Sequence, residues 1–153
     1  MYGLRSNSEG QLGGKDFVLA VNTDNNVIFS FGGNIEGQFG RHVDMDVNVY
    51  HKPDTILYFQ TNNLSISQIS CGYYHTIVLT SNGQVFGWGS NKQGQVGCGN
   101  KSFQLDSTPV EFVTEYQISK IECNEYTSLA ITCEGQVLIW RMVDNKNSIS
   151  IRN

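Results

Sequence analysis

Hydrophobic and polar positions alternate in short blocks along this chain. Phe17 to Val21 is an apolar run, Thr76 to Leu79 is rich in β-branched residues, and Gln84 to Trp88 alternates polar and apolar side chains. Blocks of this length predict β-strands. Between the last two lies Asn82-Gly83, the dipeptide that most favours a two-residue hairpin, and Asn25-Asn26 and Glu134-Gly135 hold matching places. No apolar run approaches the ~20 residues of a membrane-spanning helix, so no membrane partner is expected.

The blocks recur. Phe31-Gly32-Gly33-Asn34-Ile35-Glu36-Gly37-Gln38-Phe39-Gly40 returns 57 residues later as Trp88-Gly89-Ser90-Asn91-Lys92-Gln93-Gly94-Gln95-Val96-Gly97. Its tail also stands near the start as Asn7-Ser8-Glu9-Gly10-Gln11-Leu12-Gly13, with Leu4 in the aromatic place and Arg5 in that of the first glycine. A second string precedes the motif. Ile69-Ser70-Cys71-Gly72 and then His75 to Trp88 return 52 residues on as Ile121-Glu122-Cys123-Asn124 and Thr127 to Trp140, with a looser copy from Val21 to Phe31. Pro53 and Pro109 keep step, each before a short apolar run. The chain therefore divides into a repeat remnant over 1–14 and repeats at about 15–60, 61–112 and 113–153. The last is degenerate after Trp140, where Arg141-Met142-Val143 replaces the expected Gly-x-Asn and no Gly-Gln-x-Gly follows. A repeat of about 50 residues made of short strands predicts propeller blades. The predicted fold is all-β: a partial β-propeller of about two to three blades, each of up to four antiparallel strands. The 16 glycines and 15 asparagines, residues that tolerate positive φ, fit a turn-rich β chain.

Charge narrows the partners. Ten Lys and Arg against 14 Asp and Glu leave net −4, which argues against direct nucleic-acid binding through a basic face. No basic region followed by an apolar one comes after Met1, so the four cysteines are expected as free thiols, in the cytoplasm or the nucleus.

Candidate chemistry is sparse. His75 could serve as a general base, but no serine or carboxylate is tied to it by spacing, and Thr127 replaces it in the next copy. It reads as a structural histidine that opens a strand and bonds to neighbouring backbone. Cys71 and Cys123 share one repeat position, which suits a small core residue. With Cys98 and Cys133 they form no CxxC, so no zinc site is expected. The glycine strings lack the strand–helix context of a dinucleotide fingerprint and the Gly-Lys-Ser/Thr of a phosphate loop, so no cofactor is expected. They fit close backbone approach and positive φ instead. The recurring signature is Phe31, Gly32, Gly37, Gly40, Cys71, Gly72, His75, Gly83, Trp88, Gly89, Gly94, Gly97 and Trp140. The polar insert Arg41 to Pro53, with His42, Asp44, Asp46, His51 and Lys52, reads as a solvated connecting loop, as does Asn100 to Thr108. Such loops bind partners, and Arg41, His42, Asp44, Asp46, Lys52, Lys92, Gln93 and Lys101 are the candidate contacts. Residues 106–134 hold six carboxylates against Lys120, which reads as a solvated face.

Residues 71–97 resemble the regulator of chromosome condensation repeat: Cys-Gly-x-x-His-Thr-x-x-Leu-Thr-x-x-Gly-x-Val-Phe-x-Trp-Gly-x-Asn-x-x-Gly-Gln-x-Gly. The match extends over 19–40 from Val27 onward and over 121–140. The run into His75 and the glycine-rich tail look most like propellers paired with a BTB domain. The resemblance implies a seven-bladed propeller, which needs about 350 residues at ~50 per blade. The 153 residues supply fewer than three blades, so the chain reads as a fragment, as a unit that assembles with its own copies, or as a decayed paralogue. Open blade edges predict marginal stability and self-association. The implied function is a non-enzymatic protein-interaction scaffold. The alternatives are guanine nucleotide exchange on a small GTPase such as Ran and a fragment with no function of its own.

Overall fold

The computed structural model describes residues 2–6, 17–22, 24–40, 49–97, 108–112, 114–143 and 146–152; side chains are described over 17–22, 24–40, 54–97, 108–112 and 114–140. Three four-stranded antiparallel sheets follow one another along the chain. The first comprises β1 (Tyr2–Ser6), β2 (Phe17–Asn22), β3 (Val27–Gly33) and β4 (Val49–Ile56). The second comprises β5 (Ile66–Cys71), β6 (His75–Thr80), β7 (Val85–Gly89) and β8 (Val110–Phe112). The third comprises β9 (Ile118–Asn124), β10 (Thr127–Thr132), β11 (Val137–Val143) and β12 (Lys146–Arg152). Strand order follows chain order in every sheet. β5 packs on β1 at one side and on β9 at the other, so the first strands of the sheets lie side by side. This is the arrangement of propeller blades, and the molecule is a partial β-propeller of three.

Tyr2–Ser6, inside the stretch read as a remnant, pairs with β2 from Tyr2↔Val21 to Ser6↔Phe17. Where the motif stops, Arg141-Met142-Val143 prolongs β11 and pairs with β12. The β6–β7 hairpin is one residue longer than the two-residue turn that Asn-Gly suggests. Gly83 N–H donates to Thr80 O at 3.0 Å and Thr80 N–H to Gln84 O at 2.9 Å, so the loop is Ser81-Asn82-Gly83 with Gly83 at φ 85°. Thr132, Gly135 and Gln136 repeat that pattern in the third sheet. In the first sheet the pair Asn22↔Val27 encloses four residues, so β2 matches β6 at an offset of 58 while β3 keeps 57. That extra residue is why the first copy looks loose.

Two apolar cores fill the seams. Between the first two sheets Leu19, Ile28 and Phe39 pack with Val78, Phe86 and Trp88; between the second and third, Ile77, Leu79 and Val85 meet Ile121, Leu138 and Trp140. A single helical turn, α1 (Tyr58–Thr61), brings Phe59 fully under the first seam, edge-on to Phe86 at 5.5 Å.

Candidate functional site

The recurring motif is a clasp. After β3 and again after β7 the chain folds a loop held by its own side chains. Asn34 Oδ1 accepts from Phe39 N–H at 3.0 Å, and Asn91 Oδ1 from Val96 N–H at 2.9 Å. Gln38 Oε1 accepts from Glu36 N–H at 3.0 Å, and Gln95 Oε1 from Gln93 N–H at 2.8 Å. The loop then passes under the aromatic residue of the next blade. A Cβ on Gly40 would stand 3.0 Å from the Trp88 indole, and one on Gly97 would stand 2.8 Å from that of Trp140. Both glycines have positive φ, 69° and 78°, so sterics and backbone each demand glycine.

The buried backbone carbonyl of the clasp glutamine is then used by the next blade. Gln38 O accepts from Trp88 Nε1–H at 2.9 Å and from Thr76 Oγ1–H at 3.1 Å. Gln95 O accepts from Ser128 Oγ–H at 2.8 Å. Trp140 Nε1 is buried and finds no acceptor among the described residues, and its ring instead meets Phe112 edge-on at 4.7 Å.

His75 opens β6 with no exposed surface. Its Nε2 lies 2.8 Å from Ser128 Oγ. Ser128 has one hydroxyl proton and gives it to Gln95 O, so the network assigns the imidazole proton to Nε2. Nδ1 is a buried acceptor without a partner among the described residues. Burial lowers the His75 pKa to about 3, so the ring is neutral. The expected backbone bond of the imidazole is thus a hydroxyl bond across the seam. Gly72 makes room for the ring, since a Cβ there would fall on His75 Cε1. Cys71 and Cys123 sit on the same strand position in consecutive blades, half-buried and free. Burial pushes the Cys71 thiol far up and the Cys123 thiol to about 11. Both thiols are held protonated, the reverse of what a cysteine nucleophile or metal ligand needs; the neutral His75 ring is sealed in the seam with its Nε2 spent on Ser128. Among the described residues no group of His, Cys, Asp and Glu could hold a metal ion.

The second seam is zipped by polar bonds that sequence reading missed. The Gln68 amide spans to β9, donating from Nε2 to Ile121 O at 2.9 Å and accepting Ile121 N–H at 3.0 Å. Cys123 N–H donates to Ser70 Oγ at 2.8 Å. At the rim, Tyr73 N–H donates to Glu125 O at 3.0 Å and Tyr73 OH to Glu125 Oε1 at 2.7 Å. Tyr73, Tyr74 and Tyr126 form a ring cluster there, with centroids 5.5 to 6.4 Å apart. The doubled tyrosine in Gly72-Tyr73-Tyr74-His75 was the available signal, because those two places vary between copies.

Of the candidate partner contacts, Lys92 and Gln93 stand exposed on the second clasp, and Lys92 Nζ pairs with Glu36 of the first at 2.7 Å. Arg41, His42, Asp44, Asp46 and Lys101 lie outside the described residues, as does Cys98; Lys52 belongs to β4, and its side chain is not described.

The Regulator of chromosome condensation (RCC1) repeat matches residues 25–79 and 82–131, and a second form of it matches 66–95. The chain belongs to this repeat family. Within the family it is 36% identical over 114 residues to the ultraviolet-B receptor UVR8 of Arabidopsis thaliana, covering 74% of this chain and 24% of the receptor. It is 31% identical to the probable E3 ubiquitin-protein ligase HERC6 of Homo sapiens (76% and 11%), and 30% identical to the human X-linked retinitis pigmentosa GTPase regulator (79% and 12%). The chain thus spans a quarter or less of these relatives. Among solved structures, human WBSCR16 superposes with a TM-score of 0.74 at 22% identity, over 88% of this chain and 37% of that one. Prp20p of Saccharomyces cerevisiae, whose crystal structure was described with its binding to Gsp1p and histones, gives 0.72 at 18%, over 93% and 37%. These two support the fold. As a group, propellers of this family mediate protein interactions, and some act in nucleotide exchange. No helix among the described residues is long and apolar enough to cross a membrane.

Proposed function

We propose that this chain is a protein-interaction module that binds partners through the loops of one propeller rim. In an antiparallel meander the turns alternate between rims. The β3–β4, β5–β6, β7–β8 and β9–β10 connections therefore share a rim, opposite the tight β2–β3, β6–β7 and β10–β11 hairpins. The observation that carries the reading is the division of labour among side chains. The recurring Trp, Thr or Ser, and glutamine groups are spent inside the seams, while Lys92, Gln93, Glu125 and Tyr126 are left exposed on the connector rim. Arg41, His42, Asp44, Asp46 and Lys101, from the β3–β4 and β7–β8 connections, are proposed to add to the same contact surface; Lys52 is not, because β4 takes up the end of the expected loop from Val49 onward. The partners are proteins, and neither a membrane nor nucleic acid is part of the reading. The outward faces of the first and third sheets are proposed to be covered by further blades, in the same chain or a second copy.

The test is affinity capture with the immobilised chain, followed by the same capture with Lys92→Glu on the connector rim and Asn82→Lys on the hairpin rim. Loss with the first and retention with the second is the expected result. Loss with only the second, or with neither, overturns the choice of rim. Nucleotide release from a panel of small GTPases separates scaffold from exchange factor: acceleration by the chain replaces the scaffold reading.

A further inference from the structure

We infer that the tyrosine cluster across the second seam is a docking site for a basic segment of a protein partner, with an arginine or lysine seated against the Tyr126 ring beside Glu125. The inference rests on the interaction-module reading above and names its site and partner chemistry.

Three observations meet there. The first is exposure: Tyr126 shows 47% of its surface, one of two large apolar side chains so exposed among the described residues. An aromatic ring left open on a rim offers a π face to a cation. The second is rigidity. The turns that carry the rings are bonded to each other by Tyr73 N–H to Glu125 O, and Ser90 N–H ties Tyr74 O at 2.8 Å. Tyr73 and Tyr126 stand edge to face at 5.5 Å, so the aromatic surface is formed before any partner arrives. The third is charge. Two other carboxylates are paired with ammonium groups, Glu36 with Lys92 at 2.7 Å and Glu122 with Lys120 at 3.3 Å. Among the described residues the Glu125 carboxylate accepts from the neutral Tyr73 hydroxyl at 2.7 Å and has no cation against it, so it stands beside the rings as an acceptor for one. A cation beside this carboxylate and over the Tyr126 ring satisfies both. An acidic segment would meet repulsion from Glu125 and from a chain of net −4.

The test is fluorescence anisotropy of a labelled decapeptide of alternating arginine and glycine, titrated with the full chain at low and high salt. A glutamate–glycine decapeptide serves as comparison. Binding of the arginine peptide alone, weakened by salt, is expected. Tyr126→Phe keeps the ring and keeps the affinity. Tyr126→Leu keeps apolar bulk without the π face and loses about two- to fivefold. Glu125→Gln loses a similar factor and flattens the salt dependence, while Glu134→Gln, on the β10–β11 turn of the opposite rim, changes nothing. Circular dichroism of each variant confirms that the chain is folded. No arginine-peptide binding, equal loss in Glu134→Gln, or an unaffected Tyr126→Leu overturns the site. Protein capture that survives in every variant leaves the module standing and refutes this location. Peptide binding that tracks ring and charge, with no protein captured, does the reverse.

Discussion

The His75 imidazole sits where a titratable ring would ordinarily be costly, and the cost falls in one pH window. Its unfolded pKa is near 6.5 and its folded pKa is about 3, so below 6.5 the unfolded chain takes up a proton that the folded chain refuses. Stability is complete above pH 6.5 and drains as pH falls towards 3, by about 1.4 kcal/mol per pH unit. Replacing the ring with a neutral amide removes that slope. Urea midpoints at pH 7.5 and 4.5 should converge more closely in His75→Gln than in the parent, since carboxylates common to both cancel. Equal slopes would mean that the buried ring is protonated in the fold. A clasp glycine and a hairpin glycine give a second residue-scale contrast. Gly97 and Gly135 share positive φ, 78° and 85°, but a Cβ on Gly97 meets Trp140 at 2.8 Å and one on Gly135 meets nothing within 4 Å. Gly135→Ala should cost about 1 kcal/mol for backbone alone, and Gly97→Ala about 1–3 kcal/mol more for the displaced indole. Denaturant midpoints of the two variants decide it, and equal losses would remove the close approach from the account.

At the scale of strands and seams, what was readable depended on how narrowly physics restricts each position. Gly40, Gly97, Asn34 and Asn91 stood out because a left-handed glycine under an indole, or an amide that closes its own loop, tolerates few substitutes. The strands were legible from alternation, and the sequence of blades from the repeat, but not their completeness: β1 and β12 close the first and third sheets where the motif is a remnant or has stopped, because strand pairing there does not need the motif residues. The hairpin length at Asn82-Gly83 was not legible, because the Thr80 and Gln84 backbone groups pair beyond the dipeptide and draw a third residue into the loop. The Tyr-Glu cluster was also hidden, since Tyr73 and Glu125 are 52 residues apart and meet only when two blades adjoin. The Gln68 clamp was hidden for the same reason, and it carries an element-scale prediction. Its amide both donates to and accepts from Ile121, tying β5 to β9. Gln68→Glu keeps the acceptor, loses the donor and leaves Ile121 O facing a carboxylate, a loss of about 1–3 kcal/mol. Hydrogen exchange should show faster opening of β5 and β9, the Ile121 amide included, than of the β6–β7 hairpin. Uniform acceleration across all three sheets would show that the seams do not open separately.

The burial pattern of the three sheets bears on assembly of the whole molecule. In the middle sheet every residue of β6 and β7 is buried, because a blade covers each face. In the flanking sheets burial alternates. Val18, Ala20 and Phe29 on the first sheet and Leu129, Ile131, Val137 and Ile139 on the third are only half covered. At both seams the cover for such a face is another blade, and these half-covered residues are apolar on both flanks, with Lys120 and Glu122 beside Ile131 and Leu129 on the third. The isolated chain should therefore associate through these faces, and its unfolding midpoint should rise with protein concentration. Ile131→Lys places a charge on the third sheet's open face without entering either core, so it should shift the population towards monomer in sedimentation velocity. Ser119→Lys, on β9 and already exposed, should leave the distribution unchanged. A monomer whose sharp midpoint is independent of concentration would refute the association. The three blades would then be a self-sufficient unit, with half-covered flanks tolerated because the two seams alone bury enough apolar surface to hold the fold.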